Sequence, residues 1–180
     1  IDYFFMRVTG GILKGWVIPT KFASHVRPST DRMRESLFNS LVHQFGIEGK
    51  SVLDLFSGSG IIAAEFLSRE ATLVTSIDLD GKNILQQKAM QKERDLNHWE
   101  IVKQNIYKFE PQKGQQFDII FADPPYDIPN IQQFPKMFSE WLADDGIIIL
   151  EHRPQLQFHE EHLLKKEYGS TTCTIFAKQK

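Results

Sequence analysis

Cysteine is nearly absent: Cys173 stands alone in 180 residues, which excludes an internal disulfide and a cysteine-based metal cluster and suits a reducing compartment. Long apolar runs are missing too. Apolar residues make up 41% of the chain, yet no run approaches the ~20 residues that span a bilayer, so no membrane segment is expected. The opening "IDYFFMRVTGG" lacks the basic segment and following apolar stretch of a secretory signal. Met6 is read as the natural start, with residues 1–5 left out of the fold argument. Repeats and low-complexity tracts are also lacking. His159 and His162 flank two glutamates, but the spacing is not that of His-Glu-x-x-His and no third ligand is evident, so no metal is expected.

What is present is an ordinary globular composition, 24% charged, in a length that fits one domain with a real core. The net charge of −2 conceals an asymmetry: residues 1–46 carry six Lys/Arg and three Asp/Glu, residues 47–180 fifteen and twenty. A basic first part on an acidic remainder suits contact with a polyanion, and equally a solvated face. The chain divides accordingly into an N-terminal extension, 1–46, and a larger unit, 47–180.

In the extension, "RVTGGILKGWVI" (7–18) reads as two short strands around glycines. Thr30 is an N-cap candidate for an amphipathic helix over 31–45, with Met33, Leu37, Leu41 and Phe45 on one stripe. From residue 50, strands and helices alternate: strands at 51–56, 72–78, 99–104, 117–122 and 146–151, with helices at 60–69, 81–96 and near 131–142. "LLKKEYG" and "STTCTIFAK" read as a terminal antiparallel pair around Gly169. The expectation is an α/β fold: a doubly wound, seven-stranded, mostly parallel sheet with a terminal antiparallel strand and helices on both faces. Ligands of such a sheet bind beyond the carboxyl ends of its strands.

Two unusual loops lie at such ends. "DLFSGSGIIAAE" fits Gly-x-Gly-x-x-Ala at Gly58, Gly60 and Ala63, and Asp78 closes the next strand about 20 residues on, as an acceptor of ribose hydroxyls would. Dinucleotide and S-adenosylmethionine binding both fit this pattern. Asp54, just before the loop, favours a cationic ligand over a pyrophosphate.

The second loop, "FADPPYDIP" (121–129), discriminates further. Two consecutive prolines stiffen it, which chain reversal alone does not require. An exocyclic amine is a poor nucleophile because its lone pair is delocalised into the ring. Acceptors aimed at both N–H bonds favour the pyramidal form that attacks a methyl group. The Asp123 carboxylate and the Pro124 carbonyl can be those acceptors, held by Pro124 and Pro125. Tyr126 can stack on an extruded base.

Together, "MRVTGGILKG", "RPSTDRMRESLFN", "VLDLFSGSG" and "FADPPYD", in this order, resemble the RsmD family, across roughly residues 6–178. The resemblance implies a Rossmann-like, class I methyltransferase fold. The implied activity is S-adenosylmethionine-dependent methylation of the exocyclic amine (N2) of a guanine in bacterial small-subunit (16S) ribosomal RNA. It implies that Asp54, Ser57, Gly58 and Gly60 line the cofactor's methionine and ribose side, that Asp78 takes the ribose hydroxyls, and that Asp123, Pro124, Pro125 and Tyr126 form the target pocket. Arg27, Arg32 and Arg34 would engage RNA or close over the cofactor. Relatives usually carry Asp where Asn105 stands; its amide oxygen can still accept from the adenine amine. A cytoplasmic monomer acting on ribosomal RNA, in a small-subunit or assembly-intermediate particle, is expected. The alternatives are a DNA adenine amino-methyltransferase, a non-catalytic nucleic-acid-binding or assembly factor that keeps the pocket, and, more remotely, an NAD-binding protein.

Overall fold

Pairing of Tyr3–Arg7 (β1) with Val17–Lys21 (β2) makes an antiparallel ribbon that stands apart from the main sheet. The computed structural model describes residues 3–21 and 30–179. β1 includes residues placed outside the fold argument on sequence: Phe5 pairs with Pro19. The segment 8–16, expected to contribute both strands, is mostly turn. Gly11, at φ +77°, docks against the end of a helix, where an added Cβ would lie 1.8 Å from the Ser68 carbonyl oxygen. Only glycine permits that approach, and the Ile12 amide donates to the same carbonyl at 2.7 Å.

Asp31–Gln44 (α1) starts where its cap predicts, with Thr30 Oγ1 accepting from the Met33 amide at 3.2 Å. Then the alternation sets in: Ser51–Leu55 (β3), Ile61–Ser68 (α2), Leu73–Asp78 (β4), Gly81–Glu93 (α3), Trp99–Lys103 (β5) and Phe117–Ala122 (β6). The expected helix near 131–142 is instead a broken succession of short turns around Phe134–Met137 (α4). Pro135 fits only the first turn of a helix, which limits continuation from Ile131. Leu142–His152 (β7) starts earlier than expected, and Leu164–Tyr168 (β8) and Thr171–Ala177 (β9) complete the chain.

The seven strands lie in the order β5-β4-β3-β6-β7-β9-β8. β5, β4, β3, β6 and β7 are parallel, and β9 inserts antiparallel between β7 and β8. One face packs an apolar cluster with α1, α2 and the hairpin through Phe38, Phe66, Trp16 and Ile18. The other packs Phe134 and Phe138. The N-terminal extension thus shares a core with the sheet.

Arg34 is the polar centre of that junction. Its side chain is fully buried; it ion-pairs with Asp31 at 2.6 Å and with Glu65 at 3.4 Å, and donates to the Arg7 carbonyl at 2.9 Å. Glu65 also accepts from Arg69 at 2.5 Å and from the Thr9 amide. The expectation that Arg34 meets RNA is therefore corrected: its charge is consumed in joining α1, α2 and the hairpin.

Candidate active site

The side chains of Val52, Ile119, Phe121, Ile147 and Ile149 belong to the apolar cluster on the α1/α2 face of the sheet. Because side chains alternate along a strand, the next residue on each of these rows is Asp54, Asp123 and Glu151. Register confirms the alignment: Asp54 lies opposite Phe121, and Ala122 opposite Leu150. Three neighbouring strands therefore each end their apolar row in a carboxylate at the sheet's carboxyl edge.

A cavity of about 1310 Å³ opens at that edge. Asp54, Ser57, Gly58, Asp78, Asn105 and the whole Asp123–Tyr126 loop line it. Asp54 is 1% exposed and its Oδ2 has no hydrogen-bond partner among the described residues. Burial, and then the negative charge of Asp78, push its carboxyl well above the usual range, with the Ala63 amide in the first turn of α2 opposing. A carboxylate in that position calls for a cation.

Asp78 organises the glycine loop directly. Its Oδ2 accepts from the Gly58 amide and its Oδ1 from the Asp80 amide, both at 2.7 Å. The Ser57 hydroxyl and amide both donate to the Ile77 carbonyl. Beneath the loop lie two residues that sequence reasoning did not select. Gln87 is fully buried and donates to Ser57 Oγ at 2.9 Å and to the Gly58 carbonyl at 2.8 Å. Trp99 donates to Ser76 Oγ at 2.8 Å. Gly60 does not line the cavity. It has φ +82°, and a Cβ there would stand 2.8 Å from Gln87 Cγ and 3.0 Å from a Trp99 ring carbon. The glycine serves the loop's floor rather than its mouth.

On the other side, Asp123 sits deep among protein atoms while its side chain faces the open cavity and is exposed. Burial, then Glu151, then Asp54 push its carboxyl above the usual range, an effect that water in the open cavity screens. Pro125 closes the loop, its carbonyl accepting from the Ile128 amide at 3.1 Å. Pro124 lines the cavity, and no hydrogen bond reaches its carbonyl among the described residues. Tyr126 is half exposed, with the Arg153 guanidinium 4.7 Å from its ring centre. Asn105 reaches the cavity while its Oδ1 accepts from the Tyr107 amide at 3.0 Å, leaving one lone pair.

A second cavity of about 510 Å³ meets the first at Tyr126, Glu151, Gly169 and Ser170. Arg32 is exposed and lines it; Arg27 lies outside the described residues. Glu151 was missed on sequence. An acid ending the almost wholly apolar "GIIILE", one strand away from Asp-Pro-Pro-Tyr, was the available signal.

The donor set fits adenosylmethionine. A buried carboxylate with one unpartnered oxygen suits its ammonium or sulfonium, and the strand-end acid suits two hydroxyls. A dinucleotide pyrophosphate would face Asp54, Asp123 and Glu151 and be repelled. Strand order, glycine loop and acidic edge together define the class: a Rossmann-like, class I methyltransferase fold with an adenosylmethionine site. The family model described as Conserved hypothetical protein 95 matches residues 6–177, and the chain belongs to that family. It is 33% identical over 151 residues to the Ribosomal RNA small subunit methyltransferase D of Escherichia coli (strain K12), covering 81% of this chain and 74% of that protein. A candidate rRNA methyltransferase of Bacillus subtilis (strain 168), YlbH, is 30% identical over 185 residues, covering 97% of this chain and all 100% of that one. Among solved structures, the candidate methyltransferase yhhF from Escherichia coli superposes with a TM-score of 0.83 at 28% identity, covering 97% of this chain and 98% of that one.

Proposed function

We propose that this enzyme transfers a methyl group from adenosylmethionine to the exocyclic 2-amino group of a guanine in small-subunit ribosomal RNA. The observation that carries the reading is the juxtaposition of Asp54 and Asp123 at adjacent strand ends, one buried with a free oxygen beside the glycine loop, the other in the rigid Asp-Pro-Pro-Tyr loop. Bound adenosylmethionine supplies an electrophilic methyl group on a sulfonium. Asp54 faces its cationic part, Asp78 its ribose hydroxyls, and Asn105 its adenine amine, with Ser57 and Gly58 shaping the wall between and Gly60 letting the loop settle on its floor.

The residues act on the amine by orientation. The Asp123 carboxylate and the Pro124 carbonyl accept its two N–H bonds and hold the nitrogen lone pair toward the incoming methyl group. Tyr126 stacks on the base, which must leave its helix to enter. As the N–C bond forms and the methyl–sulfur bond breaks, the nitrogen becomes acidic and Asp123 or water takes its proton. Arg32, at the mouth of the second cavity, faces the RNA backbone, as would Arg27. The setting is the cytoplasm, with the enzyme a monomer on a small-subunit or assembly-intermediate particle.

Asp123→Ala tests the assignment. Methyl transfer to small subunits should fall by at least about a hundredfold, as expected for losing an oriented acceptor in the transition state, while adenosylhomocysteine affinity by calorimetry stays within about threefold. Equal loss of both would move Asp123 to the cofactor and overturn the pocket assignment.

A further inference from the structure

Glu151 stands where the two cavities meet, and the transfer chemistry above leaves it without a task. Its place follows from register: Ala122, the last residue of β6, pairs with Leu150, so Asp123 leaves the sheet just where Glu151 continues β7, and both line the large cavity. Neighbouring strands lie about 4.8 Å apart, and both residues line the same cavity, within reach of one ligand. The side chain is 7% exposed. The Thr171 hydroxyl, 3.1 Å from Glu151 Oε1 and 3.2 Å from the His152 carbonyl, shares its proton between them and fixes the carboxylate's direction. The other oxygen accepts no hydrogen bond among the described residues.

The exocyclic amine of guanine is flanked on the ring by N1–H, a second donor. Two acceptors on the amine and a third beside them match that row of donors. Adenine presents a lone pair at the ring nitrogen beside its amine, which a carboxylate repels. Burial raises the Glu151 carboxyl to about 7, with the Thr171 hydrogen bond and then the Arg34 guanidinium opposing, so the ionised, accepting form is populated as pH rises through that value.

We infer that Glu151 is a specificity-determining residue that accepts the N1–H of the target guanine and excludes bases with a bare nitrogen there. This rests on the guanine-amine reading above.

The probe is 2-aminopurine, which keeps the 2-amino acceptor of the methyl group but has no hydrogen on N1. Small subunits are reconstituted with guanine or 2-aminopurine at the nucleotide that takes up label in whole subunits. Wild-type enzyme should prefer guanine in kcat/KM by about tenfold to a hundredfold, the worth of one hydrogen bond to a charged acceptor. Glu151→Gln, whose amide can donate to the bare N1, should lose most of that preference with adenosylhomocysteine affinity unchanged. Three results would overturn the inference: a guanine preference that Glu151→Gln leaves intact, a wild type that prefers 2-aminopurine, or a parallel loss of cofactor affinity that places Glu151 on the cofactor. Absence of wild-type transfer to the target in either particle would instead sink the guanine-amine reading, and the assignment of Glu151 with it.

Discussion

Asp78 receives the Gly58 and Asp80 amides before any ligand arrives, so it both shapes the glycine loop and keeps lone pairs for hydroxyls. Asp78→Ala removes both backbone acceptor bonds as well as the ligand contact, and adenosylhomocysteine affinity should fall by about a hundredfold or more in calorimetry, each charged hydrogen bond being worth roughly 1.5–3 kcal/mol. A change below threefold would show that the loop holds without it. Glu151 carries a different signature. Burial lifts its carboxyl from the ordinary 4.5 to about 7, opposed by Thr171 and Arg34. The folded state therefore binds this proton more tightly than the unfolded chain, so the stability it contributes is present below 4.5 and lost as pH rises through about 7. Asp54, which is buried, shifts in the same direction. Glu151→Gln removes one such loss, so the variant's denaturation midpoint relative to wild type should rise between about pH 5 and pH 8. An equal difference at both values would show that Glu151 does not titrate in this range.

Among the elements, α1 illustrates what one dimension conceals. Its cap, stripe and length were legible, because Thr30 and the four-residue spacing from Met33 to Phe45 are local signals. The fate of its arginines was not. Arg34 finds Glu65, 31 residues away, and Arg32, two positions earlier, turns outward to the second cavity. Helical spacing puts these two on different faces, yet only the packing of α2 decides which face is inside. Glu65→Ala would leave the Arg34 and Arg69 charges buried without their shared acid, at a cost of about 3–5 kcal/mol, read as a lowered urea midpoint. Arg32→Ala should leave that midpoint unchanged and weaken transfer to subunits. The reverse pattern would return Arg34 to the RNA and remove Arg32. The stretch 131–142 was misread for a related reason. Its apolar spacing is helical, but Pro135 admits only a short turn, and β7 takes over from Leu142.

At the scale of the molecule, the strand order and the acidic carboxyl edge fit together. Both loops named from sequence fall on one cavity because a doubly wound sheet gathers its strand ends there. Glu151 escaped notice because "GIIILE" reads as a buried strand until β6 is laid beside it. Small subunits from a strain lacking this methyltransferase, incubated with the enzyme and methyl-labelled adenosylmethionine, should take up label as N2-methylguanosine at one nucleotide of the rRNA, identified by mass spectrometry of the digested RNA. Label on an adenine amine, or no label on RNA from an enzyme that binds adenosylhomocysteine, would contradict the account.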